Sequence, residues 1–383
     1  MSRWPIIAFW VSSGLIFWTQ AGYGLLLAVW RQARLRRTWQ PPLPVAEERP
    51  LVSLIVAAYR EQDVIAARVA NALTLDWPRD RLEVIVAVDG GAGPGADETA
   101  GRARAAGADL VLELPRGGKV RTQDAAVRAA RGSILAFSDA NSSWQPEALA
   151  SLVAPFDDPD VGYVCGQVSF VNEGGTNQEG VYWRYEMWLR EQESALASVT
   201  GGNGAIYAVR REAYIEVDPV MGHDLSFPFN MVKRGWRAVY APTAHATEKM
   251  VPSIEGEWRR KRRMMSHAWA IVLRGGMLDP RGYGWAYGLM IASHRVLRYA
   301  TPLLHLVALC TSIGLIRRAP VYRLAAATQV ALLVAAAAGS RRKSRPLLIA
   351  RYYVLTTASL AAGLLDHLRH GTEAGWDAAE GTR

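Results

Sequence analysis

The chain has 383 residues, half of them hydrophobic, two cysteines and a formal net charge of +9. That length holds one catalytic domain of ordinary size plus several membrane segments and excludes two full soluble domains beside them. Thirteen basic residues lie in three acid-free stretches, Arg31 to Arg37, Arg259 to Arg263 and Arg341 to Arg345, and without them the remainder carries about −4. Basicity confined to short runs, two of which flank apolar segments, argues against a nucleic-acid-binding surface and for charge that sets membrane topology.

Residues Ile6 to Trp30 form an uncharged run of 25 residues, enough to cross a hydrocarbon core of about 30 Å. Arg3 alone precedes it, whereas Arg31, Arg34, Arg36 and Arg37 follow, so the segment is expected to enter from outside and exit into the cytoplasm. It is too long for a signal-peptide core and its charge bias is reversed, so 1–37 reads as an anchor. A Pro-rich linker follows over 38–50.

The pattern then becomes that of an α/β domain over 51–253. Apolar runs at Leu51 to Ala58, Leu82 to Val88, Leu110 to Leu114 and Ile134 to Phe137 read as buried strands, separated by helical stretches that stop at glycines such as Gly107 and Gly132. This alternation predicts a mostly parallel sheet with flanking helices and ligands at the carboxyl ends of its strands. Polar groups stand there in series: Tyr59 and Glu61 after the first strand, Asp89 after the second, Asp139 and Asn141 after the fourth. A carboxylate at one strand end is common; three that converge point to a site.

Asp139 and Asn141, two residues apart, can face one divalent cation with the oxygen ligands a hard ion takes. The same residues also read as an Asx turn that opens the helix after Gln145. The glycines around Asn203, Gly201, Gly202 and Gly204, read as a loop or as a place where a ligand approaches the backbone. His223 and Asp224 precede a helix that runs to Lys233 and stops at Gly235. Asp224 fits an N-cap, and it equally fits a general base that takes the proton of an attacking hydroxyl. Cys165 and Cys310 are too isolated for a disulfide framework or a thiolate metal site.

Past Pro252 a helix from Ile254 to Arg274 mixes a basic run with Trp258, Met264, Met265 and Trp269, the composition of a helix lying in a membrane interface. Trp285 fits the same belt, so 254–298 reads as interfacial. Three apolar segments across 299–366 follow, near Tyr299 to Ile316, Leu324 to Gly339 and Leu347 to Leu365, before a polar tail at 367–383. The loop with Arg341, Arg342, Lys343 and Arg345 is expected on the cytoplasmic side, and Arg351 near the start of the last span must snorkel. Four spans then put both termini outside.

The ordered set is V-A-A-Y-R-E at Val56 to Glu61, V-D-G at Val88 to Gly90, G-G-K at Gly117 to Lys119, D-A-N at Asp139 to Asn141, G-G-N-G-A-I-Y-A at Gly201 to Ala208, and H-D at His223 and Asp224. Over roughly residues 50 to 270 it resembles the family 2 glycosyltransferases, the superfamily of cellulose, chitin and hyaluronan synthases. Y-W-R-Y-E at Tyr182 to Glu186 and R-R-K-R-R-M at Arg259 to Met264 are similar to a bacterial cellulose-synthase-like group.

The resemblance implies a GT-A fold and a membrane-bound inverting enzyme with its catalytic domain on the cytoplasmic side of the inner membrane. It implies a nucleotide-sugar donor, UDP-linked, a Mg or Mn cation, and a lipid-linked or polysaccharide acceptor in cell-surface or exopolysaccharide synthesis, with membrane lipids and an export partner alongside and no nucleic acid. Carried over by position, Tyr59, Glu61 and Asp89 would hold the nucleoside, with Lys119 near it or its phosphates. Asp139 would meet the metal and the sugar phosphate, with Asn141 where a second Asp often stands. Asp224 would be the base, Arg263 would meet the leaving diphosphate, and Gly202, Asn203 and Gly204 would border the acceptor. Two positions depart from the pattern. His223 replaces a Glu, and in the Q-x-x-R-W signature, matched by Arg260 to Met264, only Arg263 is kept. Met264 offers no ring for a sugar to stack on, which favours addition of one or a few sugars over the alternative of a short-polymer synthase. A non-catalytic membrane assembly protein is the remaining alternative, and the joint presence of Asp89, Asp139, Asp224 and Arg263 argues against it.

Overall fold

The computed structural model describes residues 3–34, 49–93, 95–171, 180–249, 254–342 and 344–372. Most of the linker at 38–50, Lys343, and the tail beyond 372 lie outside the described residues. The chain begins with α1 (Trp4–Phe17) and α2 (Tyr23–Arg34), joined without a break by a π-helical turn at Trp18–Gly22. Pro5 in the first turn, where its missing N–H is no loss, and the uncharged run behind it account for this helix.

The sheet is built from β1 (Val52–Ala58), β2 (Leu82–Asp89), β3 (Leu110–Leu114), β4 (Ile134–Asp139), β5 (Ser143–Trp144), β6 (Val161–Val171), β7 (Tyr207–Arg210) and β8 (Arg237–Lys249). Between them lie α3 (Ile65–Leu73), α4 (Thr99–Ala105), α5 (Lys119–Ala129), α6 (Ala148–Val153), α7 (Gly180–Leu196) and α8 (His223–Lys233). The strand order is β3-β2-β1-β4-β7-β6-β8-β5. β1 to β4 pair in parallel, β7 runs antiparallel to both β4 and β6, and β5 runs antiparallel to β8. β6 and β8 pair in parallel, so six of the eight strands run one way and the sheet is mostly parallel, as the sequence pattern predicts, with only β5 and β7 reversed. β7 is reversed because the glycine loop at 201–206 precedes it along the carboxyl edge, so the chain re-enters the sheet from that edge.

Every residue of β2 is buried, and successive side chains of β1 serve opposite faces. Leu54 packs with Leu149, Phe156 and Val164 on one face, while Ile55 packs with Phe137, Tyr207 and Phe227 on the other. The parallel register pairs Ala58 with Val88 and Ala57 with Asp139, so β1, β2 and β4 end level. Tyr59, Asp89 and Asp139 share one edge for that reason.

Behind the sheet come α9 (Ile254–Arg274), α10 (Trp285–Met290), α11 (Leu297–Gly314), α12 (Pro320–Ala338) and α13 (Arg345–His370). α10 and α11 form one helix through a second π-helical turn at Ile291–Val296. Among the described residues three helices are long and apolar enough to cross a membrane: Trp285–Gly314, Pro320–Ala338 and Arg345–His370. The first begins well before the expected Tyr299. His294, Arg295 and Arg298 interrupt the apolar run in sequence, yet they turn inward and leave the helix unbroken. The N-terminal helix, with Thr19 and Gln20 at its middle, is not among the three; it lies beside them, Phe9 edge-on to Tyr322 at 4.8 Å between ring centroids.

α9 corrects the interfacial reading in part. Trp269 is only 9% exposed and its indole N–H donates to the Leu360 carbonyl at 2.9 Å, so this half of α9 is a packed face against α13. Trp285, in contrast, is 73% exposed. A third core joins Tyr23 and Leu27 of α2, Leu189 of α7, Phe229 of α8, Trp269 and Ile271 of α9, Tyr299 of α11 and Leu360 of α13. The sheet domain and the apolar helices are thus welded by shared apolar surface.

Candidate active site

A cavity of about 480 Å³ opens at the level strand ends and runs to the apolar helices, a size typical of small-molecule sites. All eleven residues singled out in the sequence line it: Tyr59, Glu61, Asp89, Lys119, Asp139, Asn141, Gly202, Asn203, Gly204, Asp224 and Arg263. They come from β1, β2, α5, β4, the glycine loop, α8 and α9, so only the fold brings them together.

Asp89 ends β2 and is 3% exposed. Its carboxylate accepts the Gly117 N–H at 2.6 Å and the Gly118 N–H at 3.1 Å and pairs with Arg116. Gly118, at φ +89°, is the residue from which α5 starts, a backbone state that favours glycine. Asp89 therefore shapes the G-G-K turn. Arg116 in turn lies over the Tyr59 ring at 3.4 Å from its centroid, a cation–π contact that holds one wall of the cavity.

Lys119 opens α5 and forms an ion pair with Asp139 at the end of β4. Burial works against the ammonium charge, but the Asp139 carboxylate beside it outweighs that and raises its pKa above the ordinary lysine value. Glu248, near the end of β8, joins this group and lines the same cavity. Burial, and then the Asp139 carboxylate, push its carboxyl up to about 7, and among the described residues its Oε1 has no hydrogen-bond partner. Asp139, Asn141 and Glu248 supply oxygen donors of the kind a hard divalent cation takes. Among the described residues no three His, Cys, Asp or Glu side chains converge as a metal cage.

Asp224 is not the N-cap that its position before a helix allows. α8 starts at His223, its cap is Gly222, and Asp224 lies in the first turn, half-buried and facing the cavity. His223 is packed instead: it stacks on Phe227 at 4.0 Å, and its Nδ1 lies 2.8 Å from the Tyr207 hydroxyl, which accepts from Gln123 Nε2. Burial, with the nearby Lys119 charge, drives its pKa down to about 3. The imidazole is a neutral wedge that fixes the start of α8.

The glycines of the loop are required by the protein's own packing. A Cβ on Gly202 would lie 1.9 Å from the Tyr163 hydroxyl and one on Gly201 would lie 2.4 Å from the Arg295 guanidinium. Asn203 uses both ends of its amide on backbone, donating to Gly166 O at 2.7 Å and accepting from Ile206 N–H at 2.9 Å. The Gly202 N–H donates to the Asp224 carbonyl at 2.7 Å and the Gly202 carbonyl accepts from Arg190 at 2.9 Å.

Sequence reasoning missed several lining groups. Glu248 sits on β8, a strand with no motif around it to mark a site. Arg190 and Arg295 look like ordinary helix charges, and Tyr299, Tyr352, Thr356 and Ser359 belong to the apolar helices. Glu186 lies within the Y-W-R-Y-E stretch, and its place in that motif was the one available signal.

Residues 49–266 match the model of a family described as glycosyltransferase like family 2. Among curated proteins, the chain is 23% identical over 332 residues to the beta-monoglucosyldiacylglycerol synthase of a Synechocystis species, covering 79% of this chain and 67% of that one. It is 26% identical over 270 residues to an N-acetylglucosaminyltransferase of Mesorhizobium japonicum, covering 62% of each. The chain thus spans about two thirds or less of the length of these relatives. Among solved structures, a mannosyltransferase from Pyrobaculum calidifontis in complex with GDP-Man and Mn2+ superposes with a TM-score of 0.70 at 23% identity, covering 94% of this chain and 99% of that one.

Proposed function

The chain belongs to the glycosyltransferase-like family 2 and is a glycosyltransferase of the GT-A fold, and on that premise we propose that it transfers a sugar, with inversion, from a nucleotide-diphosphate sugar to a lipid-borne acceptor at the cytoplasmic face of a membrane. One observation carries this reading. A single cavity is lined at one end by the strand-end acids and Lys119, and at the other by Tyr299 of α11 and Tyr352, Thr356 and Ser359 of α13, two of the three helices apolar enough to span. An acceptor that reaches the site from that end comes from the bilayer. The name of the Synechocystis relative, a synthase of a glucosylated diacylglycerol, supports the same acceptor class.

In the proposed chemistry the acceptor hydroxyl attacks the anomeric carbon, its proton passes to the Asp224 carboxylate, and the bond to the diphosphate breaks with its electron pair leaving on the nucleotide. The Arg263 guanidinium meets the charge that develops on the departing oxygen. Tyr59 and Glu61 border the nucleoside, while Lys119 holds the Asp139 carboxylate in place. A Mg or Mn cation, held by Asp139 with Asn141 or Glu248 and by phosphate oxygens, would supply further countercharge to the diphosphate. The basic residues at the end of α2 and in the loop before α13 support a cytoplasmic site.

The test is a donor panel of UDP-glucose, UDP-N-acetylglucosamine, UDP-galactose and GDP-mannose offered to the full chain in nanodiscs with Mg or Mn, read as nucleotide release and as lipid product by mass spectrometry. One donor is expected to give a glycolipid, and chelation of divalent ions is expected to lower the rate at least about 100-fold. No nucleotide release with any donor would overturn the reading, and full activity after exhaustive chelation would remove the cation from it.

A further inference from the structure

A dense group of buried polar side chains lies beside the cavity, where α2, α7 and the α10–α11 helix meet. Its centre is Glu193 of α7, whose side chain is 1% exposed. One oxygen accepts from the Tyr23 hydroxyl at 2.6 Å and lies 2.6 Å from His294 Nδ1; the other accepts the Thr200 N–H at 3.1 Å and the Thr200 hydroxyl at 3.0 Å. Burial works against ionisation of Glu193, but the His294 ring and the Arg295 guanidinium outweigh it and hold the carboxyl below the usual range. The second His294 nitrogen faces Glu186 at 3.3 Å, and Glu186 pairs with Arg298.

Charged groups within an apolar helix are costly and mark function more often than stability. His294 and Arg295 lie in the π-helical turn at Ile291–Val296, and such turns are frequent at functional sites. What they hold is Thr200. Glu193 takes its N–H and hydroxyl, while Arg295 Nε donates to its carbonyl at 3.2 Å and its Oγ1 at 3.0 Å. Thr200 is the residue before Gly201, where Arg295 fills the space a Cβ would need. Gly202 then bonds the main chain of Asp224. A continuous series of direct contacts therefore runs from the helix that lines the membrane end of the cavity, through Thr200 and the glycine loop, to the backbone of Asp224.

We propose that Glu193, His294 and Arg295 are positioning residues for glycosyl transfer, which fasten Thr200 to the α10–α11 helix so that Asp224 and an acceptor lying against Tyr299 keep one fixed geometry. This rests on the reading of Asp224 as base and of a membrane-side acceptor. A helix shift at the π turn moves the loop and the base together with the acceptor.

The experiment compares wild type, Thr200→Val, Thr200→Ser and Arg295→Lys as full-length protein in nanodiscs. Donors are UDP-glucose, UDP-N-acetylglucosamine and GDP-mannose, and acceptors are dioleoylglycerol and a C55 polyprenyl phosphate. Nucleotide affinity is measured with UDP and GDP, and thermal midpoints are recorded. Thr200→Val and Arg295→Lys are expected to lower kcat for transfer about 100-fold, the cost of a small misplacement of reacting groups, with nucleotide affinity within about twofold of wild type. Thr200→Ser, which keeps the hydroxyl, is expected to return most of the rate. Transfer by Thr200→Val within about threefold of wild type overturns the proposal, as does a loss of nucleotide affinity and thermal midpoint in step with the rate, which is the mark of a merely structural role. Absence of transfer by wild type with every pair overturns the functional reading and the inference with it, and is told apart because it needs no variant.

Discussion

Asp224 faces the cavity from the first turn of α8, its main chain held by Gly202 and its neighbour His223 wedged between Tyr207 and Phe227. Its backbone is thus fixed without any use of its carboxylate as a cap, as the proposed role of that group as a base requires. Asp224→Asn is expected to lower transfer by about 10²–10⁴-fold, the usual contribution of a general base, with nucleotide binding and fold intact; near-normal transfer would remove the assignment. Glu248 gives the residue scale a pH signature. Its folded-state pKa, about 7, lies above its ordinary value of 4.5, so the folded protein holds this proton more tightly than the unfolded chain. Its contribution favours the fold below pH 4.5 and is lost as pH rises toward 7. Glu248→Gln is therefore expected to raise the thermal midpoint at pH 8 relative to wild type and to match it near pH 5, a comparison that scanning fluorimetry in detergent can make.

Elements explain what single residues cannot. The glycine loop lies against β6 so closely that Gly202 meets the Tyr163 hydroxyl, a buried group with no hydrogen-bond partner among the described residues. Gly202→Ala is expected to cost about 1–3 kcal/mol through overpacking and to displace the loop. Tyr163→Phe removes the offending oxygen and an orphaned hydroxyl together, so the double variant is expected to recover part of the loss; urea unfolding of both variants checks this. Much of the loop's place was legible in sequence, because three glycines around an Asn announce a tight backbone. Its real neighbours were not, since Tyr163 and Arg295 come from elements 38 positions or more away and only packing brings them near. The helices show the same division. α9 was readable to its ends, yet the burial of Trp269 was not, because an indole among basic residues looks the same in an interface and in a helix-helix contact until its partner Leu360 is known.

At the scale of the whole molecule, the sheet domain and the apolar helices share one core, and large apolar side chains such as Leu303, Leu306, Leu324 and Val334 remain exposed on the helices' outer faces. An exposed apolar surface of this kind fits the proposed membrane placement. The two free thiols test that placement: Cys165 is buried in the sheet domain and Cys310 is exposed on α11. In intact membranes an apolar maleimide is expected to label Cys310 while a charged one does not, and Cys165 is expected to resist both until the protein unfolds; labelling of Cys310 by the charged reagent would place α11 in water. The sequence by itself determined the α/β domain, the apolar helices and the set of strand-end groups, because hydrophobic period, charge runs and punctuation are local properties that a chain carries wherever it folds. Only the tertiary structure decided that β5 and β7 run against the other strands, that Arg295, Glu193 and Glu248 flank the site, and that one cavity joins strand ends to apolar helices. Those facts depend on which distant elements meet, and a buried ion pair or a collision between a glycine and a tyrosine leaves no periodic trace in the sequence.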